Sequence, residues 1–293
     1  MTPGAASEKK IIVLLGALAV FASAFCFYMS TTIIRWSQDR VAIDPAFFVF
    51  ARFLMGFGVV CAVQVSGKAR VKPRNYHLLI GRALSNTVAV YCFYQAVTLT
   101  SVAEANILNM TYPLFIAVFS WVLLKDQRDG IATAAVFAAF AGVWLILAPG
   151  HAGIRVDNLW GLASGVSAAA AIIYLNLGRR QHNTHTILFF MFGLGGVSIL
   201  ALFHDSIFVP NALELGYLSA CAAFGIGGQY LLTVGFRYVT AVEGSVISST
   251  RILLAAICGP LLVGDPALGL YGWLGALLLF AANVVLAIRK VRY

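Results

Sequence analysis

Charged residues are scarce in this sequence. Asp, Glu, Lys and Arg make up only 11% of its 293 residues, whereas 61% are hydrophobic and the mean hydropathy is +0.89. A soluble domain carries about 25% charged residues, so this chain has too few to cover a surface that faces water. The shortage excludes a soluble enzyme and a soluble nucleic-acid-binding protein. We predict an integral membrane protein with no nucleic-acid partner.

Motifs for metals, cofactors and catalysis are also missing. The five cysteines all lie inside apolar runs, with neither CxxC nor metal-ligand spacing. No HExxH, GxSxG or phosphate-binding loop occurs, and the five histidines fall in or near the joints between apolar runs. We therefore predict no cofactor and no metal, and we keep a membrane-embedded enzyme only as a remote alternative. A channel is disfavoured because there is no selectivity-filter motif and no repeated acidic ring.

What the chain has instead is a series of ten apolar runs, each near the twenty residues that a membrane helix requires. Helices are expected because lipid offers backbone groups no hydrogen-bond partners. The first run continues through Ile34, which is longer than the apolar core of a signal peptide, so we expect it to be retained. The predicted spans are residues 11–34, 43–65, 76–99, 102–124, 131–148, 158–178, 185–203, 213–235, 241–263 and 269–288.

Basic residues are concentrated in alternate joints. With the N-terminus inside, fourteen Lys and Arg residues fall in cytoplasmic segments, and only Arg35, Arg40 and Arg155 fall outside. Lys and Arg favour the cytoplasmic side of a membrane. The sequence therefore predicts cytoplasmic termini at both ends of a multi-pass protein of the inner membrane.

The chain also contains an internal repeat. Residues 91–130 align without a gap with residues 230–269. Both copies place a Glu at a helix start, and an Asp followed by a Gly just past the helix end. Equivalent helices are five spans apart, so the copies have opposite orientations in the membrane, as in many secondary transporters. We predict one all-α membrane domain of two inverted five-helix repeats, residues 1–148 and 149–293.

The repeated segments read TSVAEANILNMTYPLFIAVFSWVLLKDQRDG and TAVEGSVISSTRILLAAICGPLLVGDPALG. With a mid-helix Pro113 and a following acid, the first copy resembles EamA-type members of the drug/metabolite transporter superfamily. The second copy departs from that pattern, since Ile252 stands at the position of Pro113 and its proline, Pro260, comes later. The resemblance implies a basket of helices around a cavity lined mainly by the third, fourth, eighth and ninth spans. It leaves the substrate open, since the superfamily moves amino acids, nucleotide precursors, sugar conjugates, toxins and lipids.

Three arginines, Arg52, Arg82 and Arg251, lie within predicted spans, where no Asp or Glu shares their depth. An ionised side chain there is costly unless it meets a partner or water. Either the substrate supplies the balancing negative group, or the arginines pin loops and carbonyl ends of broken helices. Glu104 and Glu243 begin the fourth and ninth spans, where they either couple transport to protons or stabilise the helix starts. With Arg52, they are the candidate coupling or gating residues.

Polar side chains on the central spans complete the candidate binding site. Asn106, Asn109 and Pro113 have i, i+3, i+7 spacing and are expected to share one helix face. Aromatic rings beside amides suit a site that orients an organic metabolite, although Ser, Thr and Asn also join helices by hydrogen bonds in lipid. The candidate substrate-binding residues are Arg82, Asn86, Tyr94, Asn106, Asn109, Gln229, Ser248 and Arg251.

These features together predict a secondary transporter that works by alternating access. Its expected substrate is a small organic metabolite, anionic or zwitterionic, such as an amino acid or a nucleotide-related compound. A flippase for a lipid or lipid-linked headgroup, with the same fold, remains the alternative. The expected partners are the substrate and the lipid bilayer, and the chain is expected to act as a monomer or a homodimer.

Overall fold

The computed structural model describes the backbone of residues 3–67, 70–123, 130–147, 155–239 and 241–290. Within these ranges the description omits the side chains at 3–10, 12, 120, 122, 123, 132, 241–243, 245, 246, 287, 289 and 290. The described ranges contain helices and no strand. In chain order they are α1 (Pro3–Gln38), α2 (Pro45–Val65), α3 (Tyr76–Leu99), α4 (Val102–Asn109), α5 (Tyr112–Leu123), α6 (Gly130–Leu147), α7 (Asn158–Gly178), α8 (Thr184–Leu202), a 3-10 turn (His204–Ser206), α9 (Ala212–Tyr238), α10 (Ala241–Val263) and α11 (Leu270–Lys290).

The fourth predicted span is two helices rather than one. α4 ends at Asn109 and α5 begins at Tyr112. Pro113 has no backbone N–H, its ring clashes with the carbonyl four residues earlier, and it disfavours helical geometry in the residue before it. Here the chain is not helical at Met110 and Thr111, directly before the helix that contains Pro113. The expectation that Asn106, Asn109 and Pro113 share one continuous face is wrong for this reason.

Neighbouring groups satisfy the backbone at the break. The Thr111 hydroxyl donates to the carbonyl of Leu108 at 2.7 Å, and Asn283 of α11 donates to the carbonyl of Met110 at 3.0 Å. α7 approaches closely because it has Gly165 at this height, where an added Cβ would lie 2.0 Å from Thr111 Oγ1. The break is therefore a packed feature of the bundle, where the carbonyls of Leu108 and Met110 bond inside the protein, as a membrane requires.

The helix boundaries recur in the same alignment as the sequence repeat. In that alignment Leu99, where α3 ends, corresponds to Tyr238, where α9 ends. Val102, where α4 begins, corresponds in the same way to Ala241, where α10 begins. The copies differ at one point, since α10 has Ile252 where a proline interrupts the first copy, and it continues unbroken to its last residue.

Two groups of helices form the centre of the molecule. α1 packs against α9 and α10, and these three helices are named the α1 group. α7 packs against α3, α4 and α5, and these four are named the α3 group. The remaining long helices pair α2 with α8 and α6 with α11. Each group takes helices from both halves of the chain, so the halves are interleaved rather than side by side.

The two ends of the bundle are held by different polar contacts. At the end named the Asp265 end, Asp265 accepts hydrogen bonds from Arg35 Nε at 2.9 Å and from the backbone N–H of Val102 at 2.7 Å. At the opposite end, named the His182 end, His182 Nε2 accepts from the backbone N–H of Arg74 at 3.1 Å. Asp265 thus bonds to the first turn of α4, where the unpaired N–H groups of a helix favour a negative charge.

The outer surface of the bundle is strongly apolar, with large side chains such as Leu14, Phe137 and Val197 exposed along the helices. α3 carries polar residues such as Arg82 and Asn86, both of which are buried. Exposed apolar helices of this kind are expected of a multi-pass membrane protein. The described segments long and apolar enough to cross a membrane are Val13–Gln38, Pro45–Val65, Val102–Phe119, Asn158–Gly178, Thr184–Leu202 and Ala212–Tyr238, with shorter apolar helices at Thr133–Leu147, Ile247–Val263 and Leu270–Leu286.

Candidate functional site

A cavity of about 90 Å³ lies between the α1 group and the α3 group, and α2 contributes one wall. Most of its lining residues lie well inside their helices, so the cavity is near the middle of the bundle. Three of them are the arginines Arg52, Arg82 and Arg251. The other polar side chains that line it are Ser23, Asn86, Asn109, Tyr112, Gln229 and Ser248.

Arg52 is held by groups on three neighbouring helices. Its Nη1 donates to the hydroxyl of Tyr94 at 3.0 Å, and that hydroxyl lies 2.8 Å from Ser30 Oγ. Gly225 on α9 leaves room for the guanidinium, since an added Cβ there would lie 2.8 Å from Arg52 Cδ. Tyr94 is completely buried and is not among the residues that line the cavity. Tyr94 therefore holds Arg52 in position from the side of the guanidinium group that does not face the cavity.

This arrangement predicts that Gly225→Ala impairs substrate binding, with Gly227→Ala as the matched control. A Cβ at 225 would displace Arg52, whereas a Cβ at 227 meets nothing within 4 Å. A displaced guanidinium loses its hydrogen bond to a charged group of the substrate, so we expect substrate affinity to fall about tenfold. The measurement is uptake kinetics in proteoliposomes. If Gly225→Ala transports as well as Gly227→Ala, the position of Arg52 against α9 is unimportant for binding.

Arg251 connects the two helix groups across the cavity. Its Nη2 donates to Asn109 Oδ1, and Asn109 Nδ2 in turn donates to Ser164 Oγ on α7. The guanidinium carbon lies 5.1 Å from the ring centroid of Phe93 and 5.7 Å from that of Phe27. Aromatic faces attract cations, so the two rings offset part of the lost hydration of a buried charge.

Arg82 and Asn86 lie one turn apart on α3 and are the least satisfied donors of the cavity. Arg82 Nε and Asn86 Nδ2 are buried without a hydrogen-bond partner among the described residues. Three more buried atoms lack a hydrogen-bond partner there: Nε of Arg52, Nε of Arg251 and the hydroxyl oxygen of Ser248. No ion pair within the described ranges includes any of the three arginines. Buried donors normally have a partner, so the cavity is suited to a molecule that supplies acceptors.

Most of the predicted binding residues converge on this cavity, but Asn106 does not. It is completely buried in α4 and donates to Thr31 Oγ1 at 3.2 Å and to the carbonyl of Val102 at 2.8 Å. Asn106 therefore joins α4 to α1 on the side of the Asp265 end. The structure brings together Arg82, Asn86, Asn109, Gln229, Ser248 and Arg251, and leaves out Tyr94 and Asn106.

Glu104 lies at the Asp265 end, away from the cavity. Its backbone N–H donates to Ser101 Oγ, the N-cap of α4, at 3.0 Å, and its carboxylate pairs with Arg155 at 2.5 Å. This is the geometry of a first-turn acid. The side chain of Glu243 lies outside the described residues, and Arg52, the third candidate for coupling or gating, lines the cavity itself.

Sequence reasoning missed the two aromatic residues that flank the guanidinium groups. Phe27 lies 5.3 Å from the guanidinium carbon of Arg52 and 5.7 Å from that of Arg251, so one ring serves both cations. Phe93 adds the second ring beside Arg251. The chain has 21 phenylalanines, most of them on apolar helices, so no sequence pattern singles out these two.

The part of the chain that the structure describes contains no group of three His, Cys, Asp or Glu side chains that could hold a metal ion.

The sequence profile of the EamA-like transporter family matches residues 14–148 and again residues 157–288. The chain belongs to the EamA-like transporter family. It is a membrane transporter and not an enzyme, and its substrate is a small molecule.

Named relatives of this EamA-like transporter are similarly remote in sequence. The pseudopaline exporter CntI of Pseudomonas aeruginosa is 22% identical over 81% of this chain and 83% of its own length. A riboflavin transporter of Rhizobium johnstonii is 22% identical, with 94% and 92% covered. Human solute carrier family 35 member G1 is 23% identical, with 94% and 80% covered.

The fold also has a solved counterpart. One crystal structure superimposes with a TM-score of 0.60, covers 98% of both chains and is 19% identical in sequence. At this identity the match concerns the fold alone. It extends over essentially the whole transporter, including the helices that surround the cavity.

Proposed function

We propose that this transporter is a secondary carrier that moves a small anionic or zwitterionic metabolite by alternating access. The observation that carries the proposal is the central cavity, where Arg52, Arg82 and Arg251 present buried guanidinium groups without a described carboxylate partner. Relatives named for pseudopaline and riboflavin support a small organic substrate. Six predicted binding residues line the same cavity, and we assign them to substrate recognition.

We further propose ten membrane crossings in two inverted repeats, residues 1–148 and 149–293. α4 and α5 together form one crossing, because the break between them lies in the middle of the bundle. Two observations support the repeat: the helix ends that recur in the alignment of the two copies, and the two separate matches to the family profile. Inverted repeats give a carrier two related conformations that open to opposite sides.

The charges at the two ends of the bundle support an orientation with cytoplasmic termini. The described acidic side chains all lie at the Asp265 end, whereas the His182 end is basic. Positive charge favours the cytoplasm, so we place the His182 end inside and propose the inner membrane as the location. The basic residues of the His182 end are Arg70, Lys72, Arg74, Arg179, Arg180 and Arg237, and the acids of the Asp265 end are Asp39, Asp44, Glu104, Asp157, Asp205, Glu214 and Asp265.

Cysteine reporters test this topology. In a variant without native cysteines, Lys72→Cys should react with a membrane-impermeant maleimide only from the cytoplasm, and Arg40→Cys only from the outside. Both positions are exposed and lie at opposite ends of the bundle. Labelling of the two reporters from the same side of intact cells and inverted vesicles would contradict the proposed crossings.

The contacts between the helix groups suggest how access alternates. At the Asp265 end, Asp265 bonds to the N–H of Val102, and Gln38 Nε2 donates to the carbonyl of Thr98 at 3.1 Å. The first bond joins the segment that follows α10 to α4, and the second joins α1 to α3. We propose that they close the outer side, and that they break when the cavity opens outward.

Counterflow in proteoliposomes tests the function. Vesicles loaded with a metabolite should accumulate the labelled compound transiently, with saturation. Candidates come from a thermal-stability screen, since a ligand at 100 times its dissociation constant stabilises the folded state by about 2.7 kcal/mol. An unsaturated flux would indicate a channel, and flux only of lipid would indicate a flippase.

A further inference from the structure

The central cavity holds three positive charges and no described negative one. Arginine stays protonated in proteins, so Arg52, Arg82 and Arg251 contribute three charges. None of the residues that line the cavity is acidic. A single negative group on the substrate would leave two of these charges unbalanced in a medium where unpaired charge is costly.

The three guanidinium groups are near enough to act on one small molecule. Those of Arg52 and Arg251 lie 5.3 Å and 5.7 Å from the centroid of the same ring, Phe27, so a single side chain contacts both. Arg82 lines the same cavity of about 90 Å³ as Arg52 and Arg251. The groups repel one another in the empty cavity, and a multiply charged anion between them removes that repulsion.

Protein partners leave much of this donor set free. Arg52 donates to Tyr94, and Arg251 donates to Asn109, but the Nε atoms of both remain without a partner in the described part of the chain. Arg82 Nε is also unpartnered there. Charged donors of this kind form strong hydrogen bonds to carboxylate or phosphate oxygens, and they occur here on three different helices.

The same lining is poorly suited to the ammonium group of a zwitterion. An ammonium needs acceptors or aromatic faces, but the rings of Phe27 and Phe93 already lie beside guanidinium groups, and the remaining acceptors of the lining side chains are amide and hydroxyl oxygens. One of these, Asn109 Oδ1, already accepts from Arg251. An amino acid would therefore place its positive end among three cations without a carboxylate to receive it.

We propose that the substrate is a small dianion, either a dicarboxylate or a phosphate monoester, bound between Arg82 and the pair formed by Arg52 and Arg251. This inference rests on the proposed transport function and narrows its substrate class. Arg251 and Arg52 each retain one hydrogen bond to the protein and direct their remaining donors to one anionic group. Arg82, with Asn86 beside it, receives the second negative charge, which is the other carboxylate of a dicarboxylate or another oxygen of the phosphate.

Matched probes that differ in one charge test the proposal. Succinate and its monoamide, succinamate, have nearly the same shape, and glycerol 3-phosphate represents the phosphate esters. At slightly alkaline pH and equal ionic strength, succinate or glycerol 3-phosphate should bind about tenfold or more tightly than succinamate or alanine, since a hydrogen bond to a charged group is worth about a tenfold change or more. The readouts are melting temperature against ligand concentration, and counterflow.

The Arg82→Gln variant should remove this preference. We expect it to lower the affinity for the preferred dianion about tenfold and to leave succinamate binding nearly unchanged, because only the second charge loses its partner. Arg180→Gln is the matched control, since Arg180 is exposed at the His182 end, away from the cavity. It should bind every probe as the wild type does.

The possible outcomes distinguish a failure of the dianion proposal from a failure of the proposed transport function. If succinamate or alanine binds or exchanges as well as the dianions, or if none of the dianions binds better than the monovalent probes, the dianion proposal is wrong. Saturable counterflow of a zwitterion would then leave the transport function standing. If fluorescent phosphatidic acid crosses the vesicle membrane while no soluble probe exchanges, the phosphate belongs to a lipid headgroup and the proposed metabolite transport is wrong.

Discussion

Replacing Arg251 by glutamine should lower substrate affinity about 10- to 100-fold without unfolding the protein. The residue contributes a charge to the cavity, and hydrogen bonds to charged groups are worth about 1.5–3 kcal/mol. Its partner Asn109 keeps a bond to Ser164 in the variant, so the contact between α4 and α7 persists. Because Arg251 has no described ion-pair partner, its removal leaves no carboxylate unpaired, and the lost hydrogen bond to Asn109 is offset by the removal of a buried charge, so the melting temperature should change little. Ligand-induced melting shifts and counterflow measure the two effects separately.

The Arg251→Lys variant distinguishes charge from shape. Lysine keeps the positive charge but loses the planar fork that grips a carboxylate or phosphate with two bonds. It also stacks less well on Phe27 and Phe93 than a guanidinium does. We therefore expect Arg251→Lys to recover part of the affinity lost in Arg251→Gln. If Arg251→Gln transports normally and melts at a lower temperature, the residue is structural and the recognition of an anion by Arg251 is wrong.

The sequence was sufficient to locate the three buried arginines, because the cost of burying a charge is a local property. An arginine inside an apolar helix is unfavourable wherever the helix lies, so Arg52, Arg82 and Arg251 stand out without any knowledge of the fold. The sequence also predicts Glu104 in the first turn of its helix, because it follows the N-cap residue Ser101 by three positions. The amides of Asn109 and Gln229 then lie in the same cavity as the arginines.

The residues that sequence reasoning misplaced depend on packing between helices. Asn106 and Asn109 are three positions apart, yet the first contacts α1 and the second contacts α7 and α10. Both residues belong to α4, and residues three apart still differ in direction around a helix axis, so the packing of the neighbouring helices decides which one each side chain meets. Tyr94 lies near the cavity but points its hydroxyl at Ser30 and Arg52, which no spacing in the sequence predicts.

The closure of the outer side makes Asp265 the second residue with a large expected effect. In Asp265→Asn, the side chain loses its charge and cannot accept from both Arg35 and Val102 as the carboxylate does. Arg35 is 31% exposed, so the ion pair itself contributes modestly. Loss of the charged acceptor at the start of α4 should favour the outward-open conformation by about 1–2 kcal/mol. We expect a cysteine introduced in the cavity by Ser248→Cys to react about tenfold faster with an impermeant reagent added outside.

Asp205→Asn is the matched control for this experiment. Asp205 lies at the same end of the bundle, but its side chain is 91% exposed, and its ion-pair partner among the described residues is the exposed His204. Its replacement removes the same charge without touching a contact between the helix groups. An increase in labelling confined to Asp265→Asn would assign the effect to the bond between Asp265 and α4. Equal labelling in both variants would mean that net charge at the Asp265 end, rather than this bond, governs access to the cavity.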